Sequence, residues 1–366
     1  MKTTLLMALT ATALLFTSCS KKTDNNTEPV TPKPPIETIP TLAVQSFAGG
    51  GKQESTDGVG TNAQFYTISK LTSDKAGNVY VLEPVSTTDN HLYFKIRKVT
   101  PNGTTSTLFN SGYEEFVNNK PVHKSKIYRI LDIASDPNGA LYVLANLTDY
   151  STTPSNGGWY YQEIGVYKFD ISTGGFVKVL ISSTTSGDAT NVWAEPATVL
   201  NNITVDASGN VYGAFITGNS TPGKMNVYKI SSGSGTLMAS VDGGFPGSLY
   251  AQGNGEVYAI TTTGIVKISN SQSTSTLYTF QKPIAALPAT LSGNQNGTIY
   301  SYGDLYSPSK ELKGSGFYKV KSDGTVTNGG IITSNPVIWA ATADQSGNIY
   351  YATHPNGFVI QKVTIN

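Results

Sequence analysis

The chain has 366 residues, 25 basic and 24 acidic, for a formal net charge of +1, and only 13% of its residues are charged. A balance this even, with no basic stripe or charge block, excludes nucleic acid as the main partner. Its single cysteine, Cys19, leaves no disulfide pair and no thiolate cluster for zinc, while 37 Gly and 21 Tyr among many Thr, Ser and Asn point to a β-rich, turn-rich chain.

The N-terminus reads as an export signal. Lys2 precedes a short apolar run from Leu5 to Phe16, and the small residues Thr17 and Ser18 lead to Cys19. Such a run is too short for a permanent membrane helix. The arrangement resembles the signal of a bacterial, Bacteroidota-like lipoprotein, although Phe16 stands where that pattern usually has Leu. The resemblance implies that residues 1–18 are removed and that Cys19 carries lipid as the new N-terminus. Residues 19–40 are polar and proline-rich, without an apolar period, and are expected to form a disordered tether. Residues 41–366 are expected to be the folded domain.

That domain repeats itself. "DKAGNVYVLE" from Asp74 returns as "DPNGALYVLA" from Asp136, "DASGNVYGAF" from Asp206 and "DQSGNIYYAT" from Asp344, with looser copies at Gly253 and Asn294. Each copy sits between two short runs with alternating apolar residues. Gly accepts positive φ, and an Asp carboxylate accepts N–H groups of the turn that follows, so each copy predicts a β-hairpin. The repeated Asp residues are expected to be turn clasps, not metal ligands, and to lie far apart. A second hairpin follows each first one and carries a lysine (Lys98, Lys168, Lys229, Lys267, Lys319, Lys362), expected to be solvated.

Four strands per unit and six units predict an all-β fold, a six-bladed β-propeller of four-stranded antiparallel blades. The last unit, "FVIQKVTIN", lacks its final strand. Residues 41–50, "TLAVQSFAGG", precede the first unit and are expected to supply it, closing the ring and removing exposed edges.

The first unit is similar to the NHL repeat. Gly58, Gly60, Ala63, Phe65, Asp74, Gly77, Asn78, Tyr80, Ile96, Arg97 and Lys98 stand in that family's pattern, whereas Thr67 and Ile68 replace the proline common after the Phe. Later units keep Gly-Asn-x-Tyr or Tyr-Lys and lose Ala-x-Phe. The resemblance implies a propeller and says little of activity. Bacterial lipoproteins of this family often sit in the outer membrane, which the resemblance makes the expected location.

The connections that do not repeat span 84–93, 110–129, 146–163, 182–200 and 302–316, and should gather on one face. They carry Tyr113, Trp159, Tyr160, Tyr161 and Trp193, whose ring faces beside polar residues suit a sugar ring or a peptide. Trp339, at the start of the last inner strand, is expected in the core. His91, His123 and His354 fall on blades that neighbour one another, so a three-imidazole site is topologically allowed. It would resemble that of the amidating lyases, with zinc or calcium as the ion. No phosphate loop, metalloprotease helix or Gly-x-Ser-x-Gly elbow occurs. No cofactor is called for. The function expected is a monomeric, lipid-anchored binding module for a glycan, a peptide or an envelope protein. Its competitors are a metal-dependent lyase or hydrolase and a scaffold of an envelope complex.

Overall fold

A computed structural model describes residues 39–86, 92–111, 115–117, 120–122, 127–148, 162–185, 202–217, 223–231, 234–280, 291–294, 297–306, 311–332, 336–354 and 356–365. They lie in the compact unit Thr38–Asn366. Cys19 and residues 20–38 of the expected tether fall outside the described residues, but its last two are not free: Ile39 packs against a buried apolar cluster and the Pro40 carbonyl accepts the Ile331 N–H at 2.8 Å.

The repeated turn is built as its sequence dictates. Asp206 Oδ1 accepts the backbone N–H of Ser208 at 2.9 Å and of Asn210 at 2.8 Å. Its Oδ2 accepts Asn210 Nδ2 at 2.8 Å and the Tyr212 hydroxyl at 3.1 Å. Gly209 takes φ +80°, which only Gly adopts without strain. Asp74 and Asp344 make the same four bonds, and Asp136 the two backbone ones. Burial, and then the adjacent carboxylate, push the Tyr80, Tyr212 and Tyr350 phenols far above their ordinary range, so they remain donors.

The clasps are not far apart, contrary to the sequence expectation. A Cβ on Gly139 would come within 3.1 Å of Asp74 Oδ2 and of the Tyr80 hydroxyl. Gly77 faces the Asp344–Tyr350 clasp in the same way, and Gly209 faces Tyr142. The bare glycine of one turn therefore rests on the clasp of the preceding blade. The lysines of the second hairpins also have a partner: Lys98, Lys168 and Lys362 lie 5.9, 5.9 and 5.5 Å above the rings of Tyr80, Tyr142 and Tyr350.

Strands Lys70–Ser73, Val79–Ser86, Leu92–Val99 and Thr104–Asn110 form the first antiparallel blade, and Gly58–Val59 adds a fifth strand outside it. Ile127–Ser135, Leu141–Thr148, Gln162–Asp170 and Gly175–Thr185 form the second. The third and fourth blades are one seven-stranded sheet, because the 18-residue strand Ser234–Ala251 is the outer strand of the third and the inner strand of the fourth. Leu291–Gly293 opens the fifth blade and Ala340–Ala343 the sixth. The last chain strand, Val359–Thr364, pairs with Gln45–Ala48 in the register Gln45↔Lys362, Ser46↔Gln361. The N-terminal strand thus completes the sheet of the C-terminal one.

Each inner strand touches the next, and the sixth touches the first. Hydroxyls stitch part of this ring: Thr72 Oγ1 to Ser135 Oγ at 2.8 Å, and Ser73 Oγ to Thr342 Oγ1 at 3.1 Å. The described residues are a β-propeller. Blades stack face on face, so both faces of a strand are covered. Val79, Tyr80, Val81 and Leu82 are all buried, and Tyr212 is buried like Val211 before it. The alternation of a half-solvated hairpin therefore does not apply.

The Gly-rich stretch before the first blade has its own structural task. Arg97 is fully buried and donates through Nη1 to the Gln64 carbonyl (2.6 Å) and Glu83 Oε2 (3.0 Å), and through Nη2 to the Thr56 carbonyl (2.6 Å) and Asp57 Oδ1 (2.9 Å). Its guanidinium lies 4.6 Å from the Phe65 ring centroid. One arginine thereby fastens the Gly-rich connection between the last blade and the first.

Candidate functional site

The inner strands enclose a cavity of about 560 Å³ on the ring axis. All six contribute, and the register of the repeat fixes which residue stands at each level. Lys70, Asp132 and Asn202 each lie four residues before their clasp Asp, on three successive inner strands. The sixth blade has Ala340 at that level.

These three side chains form one cluster. Lys70 Nζ lies 3.2 Å from Asp132 Oδ1 and 3.4 Å from Oδ2. Asn202 Nδ2 donates to Asp132 Oδ2 at 2.6 Å, and the backbone N–H of Ile203 donates to the same oxygen at 2.8 Å. Oδ1 also accepts the Ile133 N–H at 2.9 Å. Burial pushes the Asp132 carboxyl above the usual carboxylate range, while the Lys70 ammonium and the backbone donors draw it back toward the ionised form. Asp132 is 2% exposed, whereas the Lys70 side chain keeps 24% of its surface open. Asn202 Oδ1, a buried atom of a lining residue, has no hydrogen-bond partner, whereas the equally unpartnered Tyr250 hydroxyl belongs to a ring packed on Tyr258 and Gly293 between blades. An unsatisfied buried polar atom costs roughly 1–3 kcal/mol, so the Asn202 oxygen marks a place prepared for a ligand group or for water.

Trp339 also lines the cavity, and it is 55% exposed, not a core residue as expected. Its N–H bonds the Ala352 carbonyl at 3.0 Å, which places it just before Ala340–Ala343, and its ring meets Phe358 edge-on at 5.7 Å. The inner strands begin at this end. By the antiparallel register, Val79–Ser86 and Leu141–Thr148 end there and the next strands of their blades begin there. The connections expected to carry ligand-binding residues therefore depart from the same face as the cavity mouth.

Of the residues proposed from sequence, His354 is exposed, its ring 4.6 Å from that of Phe358. His91, His123, Tyr113, Trp159, Tyr160, Tyr161 and Trp193 lie outside the described residues. Among the described residues, no group of three or more His, Cys, Asp and Glu is arranged to hold a metal. Sequence reasoning missed Lys70, Asp132 and Asn202. Counting four back from each clasp Asp would have aligned them.

No family model matches the chain, and none of the curated proteins does. Solved structures do resemble it. A protein of unknown function from Bacteroides thetaiotaomicron is 11% identical, over 89% of this chain and 76% of that one, with a TM-score of 0.53. Regucalcin, a calcium-binding protein from Agrobacterium tumefaciens, is 10% identical over 90% of this chain and 97% of its own, at a TM-score of 0.49. A streptogramin B lyase is 12% identical over 89% and 98%, at 0.44. At these identities the likeness concerns the fold, and the class it defines is the β-propeller.

Proposed function

We propose that the protein is a lipid-anchored binding propeller of the bacterial cell envelope that seats a small polar ligand in its central cavity. The observation that carries this reading is the lining of that cavity: a Lys–Asp–Asn cluster with a buried, unpartnered amide oxygen in a space of about 560 Å³, within the range of ligand pockets. The lipoprotein-like start at Cys19 and the NHL-like first unit support the envelope location. Asp132 is saturated by four donors and acts as an organiser of Lys70 and Asn202, which suits binding better than proton transfer.

The test is a thermal-shift series on the full chain in detergent, with oligosaccharides, short peptides, divalent ions and a chelator. A ligand at 100 times its Kd should stabilise the fold by roughly 2.7 kcal/mol. Ser292 lines the cavity, and Ser292→Trp should fill it and abolish that shift. A ligand that still binds the filled variant would place the site elsewhere. Destabilisation by chelator, with activity lost alongside, would establish the metal-dependent enzyme instead.

A further inference from the structure

We infer that the ligand is a neutral carbohydrate, held by a pair of adjacent ring hydroxyls between Lys70 and Asn202 and stacked on Trp339; this rests on the cavity being the binding site.

The argument starts from the Asn202 amide. Its nitrogen must face Asp132, because a carboxylate only accepts. Its oxygen is thereby turned away from Asp132, buried and without a donor on a residue that lines the cavity. Lys70 has three N–H groups, both of its contacts are to the one Asp132 carboxylate, and its side chain, on the cavity lining, keeps part of its surface open. The site therefore offers a donor, the Lys70 ammonium, and an acceptor, the Asn202 amide oxygen, on two side chains that both donate to Asp132 Oδ2. Two neighbouring hydroxyls of a sugar can answer both, since each hydroxyl donates and accepts.

Charge narrows the class. Among the described residues, Lys70 and Asp132 are the only charged residues on the cavity lining, and they pair with each other. An acidic or basic ligand would leave water with no net opposite charge to meet it. The aromatic element completes the match. Trp339 stands one level before Ala340, the equivalent of Lys70, and the inner strands of the sixth and first blades touch. Phe358 braces its ring edge-on, which leaves indole surface exposed at the mouth. The C–H face of a pyranose packs on such a surface while its hydroxyls reach inward.

Isothermal titration of the full chain should compare neutral oligosaccharides (xylo-, manno-, malto- and cello-series) with oligogalacturonate and trialanine. At least one neutral series should bind. Trp339→Ala, at an exposed position, should weaken it tenfold or more, and Asn202→Leu should do likewise. Lys70→Met offers a second reading if Asn202→Leu fails to fold. Neutral-sugar binding that ignores Trp339→Ala overturns the inference. If oligogalacturonate or trialanine binds and Ser292→Trp abolishes it, while no neutral sugar binds, the carbohydrate inference falls and the cavity stands. If Ser292→Trp alters no binding at all, both fall.

Discussion

A buried arginine is tolerated only where every neighbour has been arranged for it. Both terminal nitrogens of Arg97 have that arrangement, with two carbonyls, two carboxylates and an aromatic face, while its buried Nε finds no partner. Glu83 is buried with it, and burial pushes its carboxyl up while Arg97 and the N–H of Tyr66 oppose the shift. Arg97→Met should destabilise the fold by about 3–5 kcal/mol in urea titration, because it strands the Glu83 charge. Adding Glu83→Gln should recover part of that loss. No recovery would show that the arginine acts through its carbonyl contacts alone. At this scale the sequence was informative wherever the interaction is local. The Asp clasp spans six residues, from Asp206 to Tyr212, and its chemistry could be deduced from the motif. The cavity cluster joins residues 62 and 70 positions apart, so no local pattern announces it.

At the scale of the strand, closure rests on one short pairing. Gln45–Ala48 covers the edge of Val359–Thr364, and the segment before it leans on the fifth blade through the Leu42 N–H bond to the Ile331 carbonyl. Deleting residues 41–50 should bare that edge and lead to self-association through it, seen as oligomers by light scattering. A monomer with an unchanged melting temperature would mean that the strand is ornamental. This closure was legible in the sequence because an incomplete last unit demands a partner. The exposure of Trp339 was not legible, because an aromatic at the start of a strand reads as core until the strand is known to border an axial opening.

For the whole molecule, the cycle of inner strands couples the two ends of the chain. Urea unfolding should give coincident transitions by tryptophan fluorescence and far-ultraviolet dichroism, as expected when no blade can leave without opening the ring. Two separated transitions would show blades melting independently. The architecture was readable from six repeats, yet the cavity depends on small differences among them: Lys70, Asp132 and Asn202 on one side, Ala340 on another. A repeat reveals what is shared, and the site is made of what is not.

The strand Ser234–Ala251 passes from the third blade to the fourth without a break. Elsewhere the chain has room between blades, from Asn110 to Ile127, Thr185 to Asn202, Thr279 to Leu291 and Ile331 to Ala340. The connection from Ala48 to Lys70 is pinned by Arg97. As a platform for grafting new segments, the ring therefore has four longer connections and two sealed ones. Foreign sequence should be accepted at the four. At the third–fourth junction an insertion would have to cut a paired strand, and that seam is the hardest part of the rim to redesign.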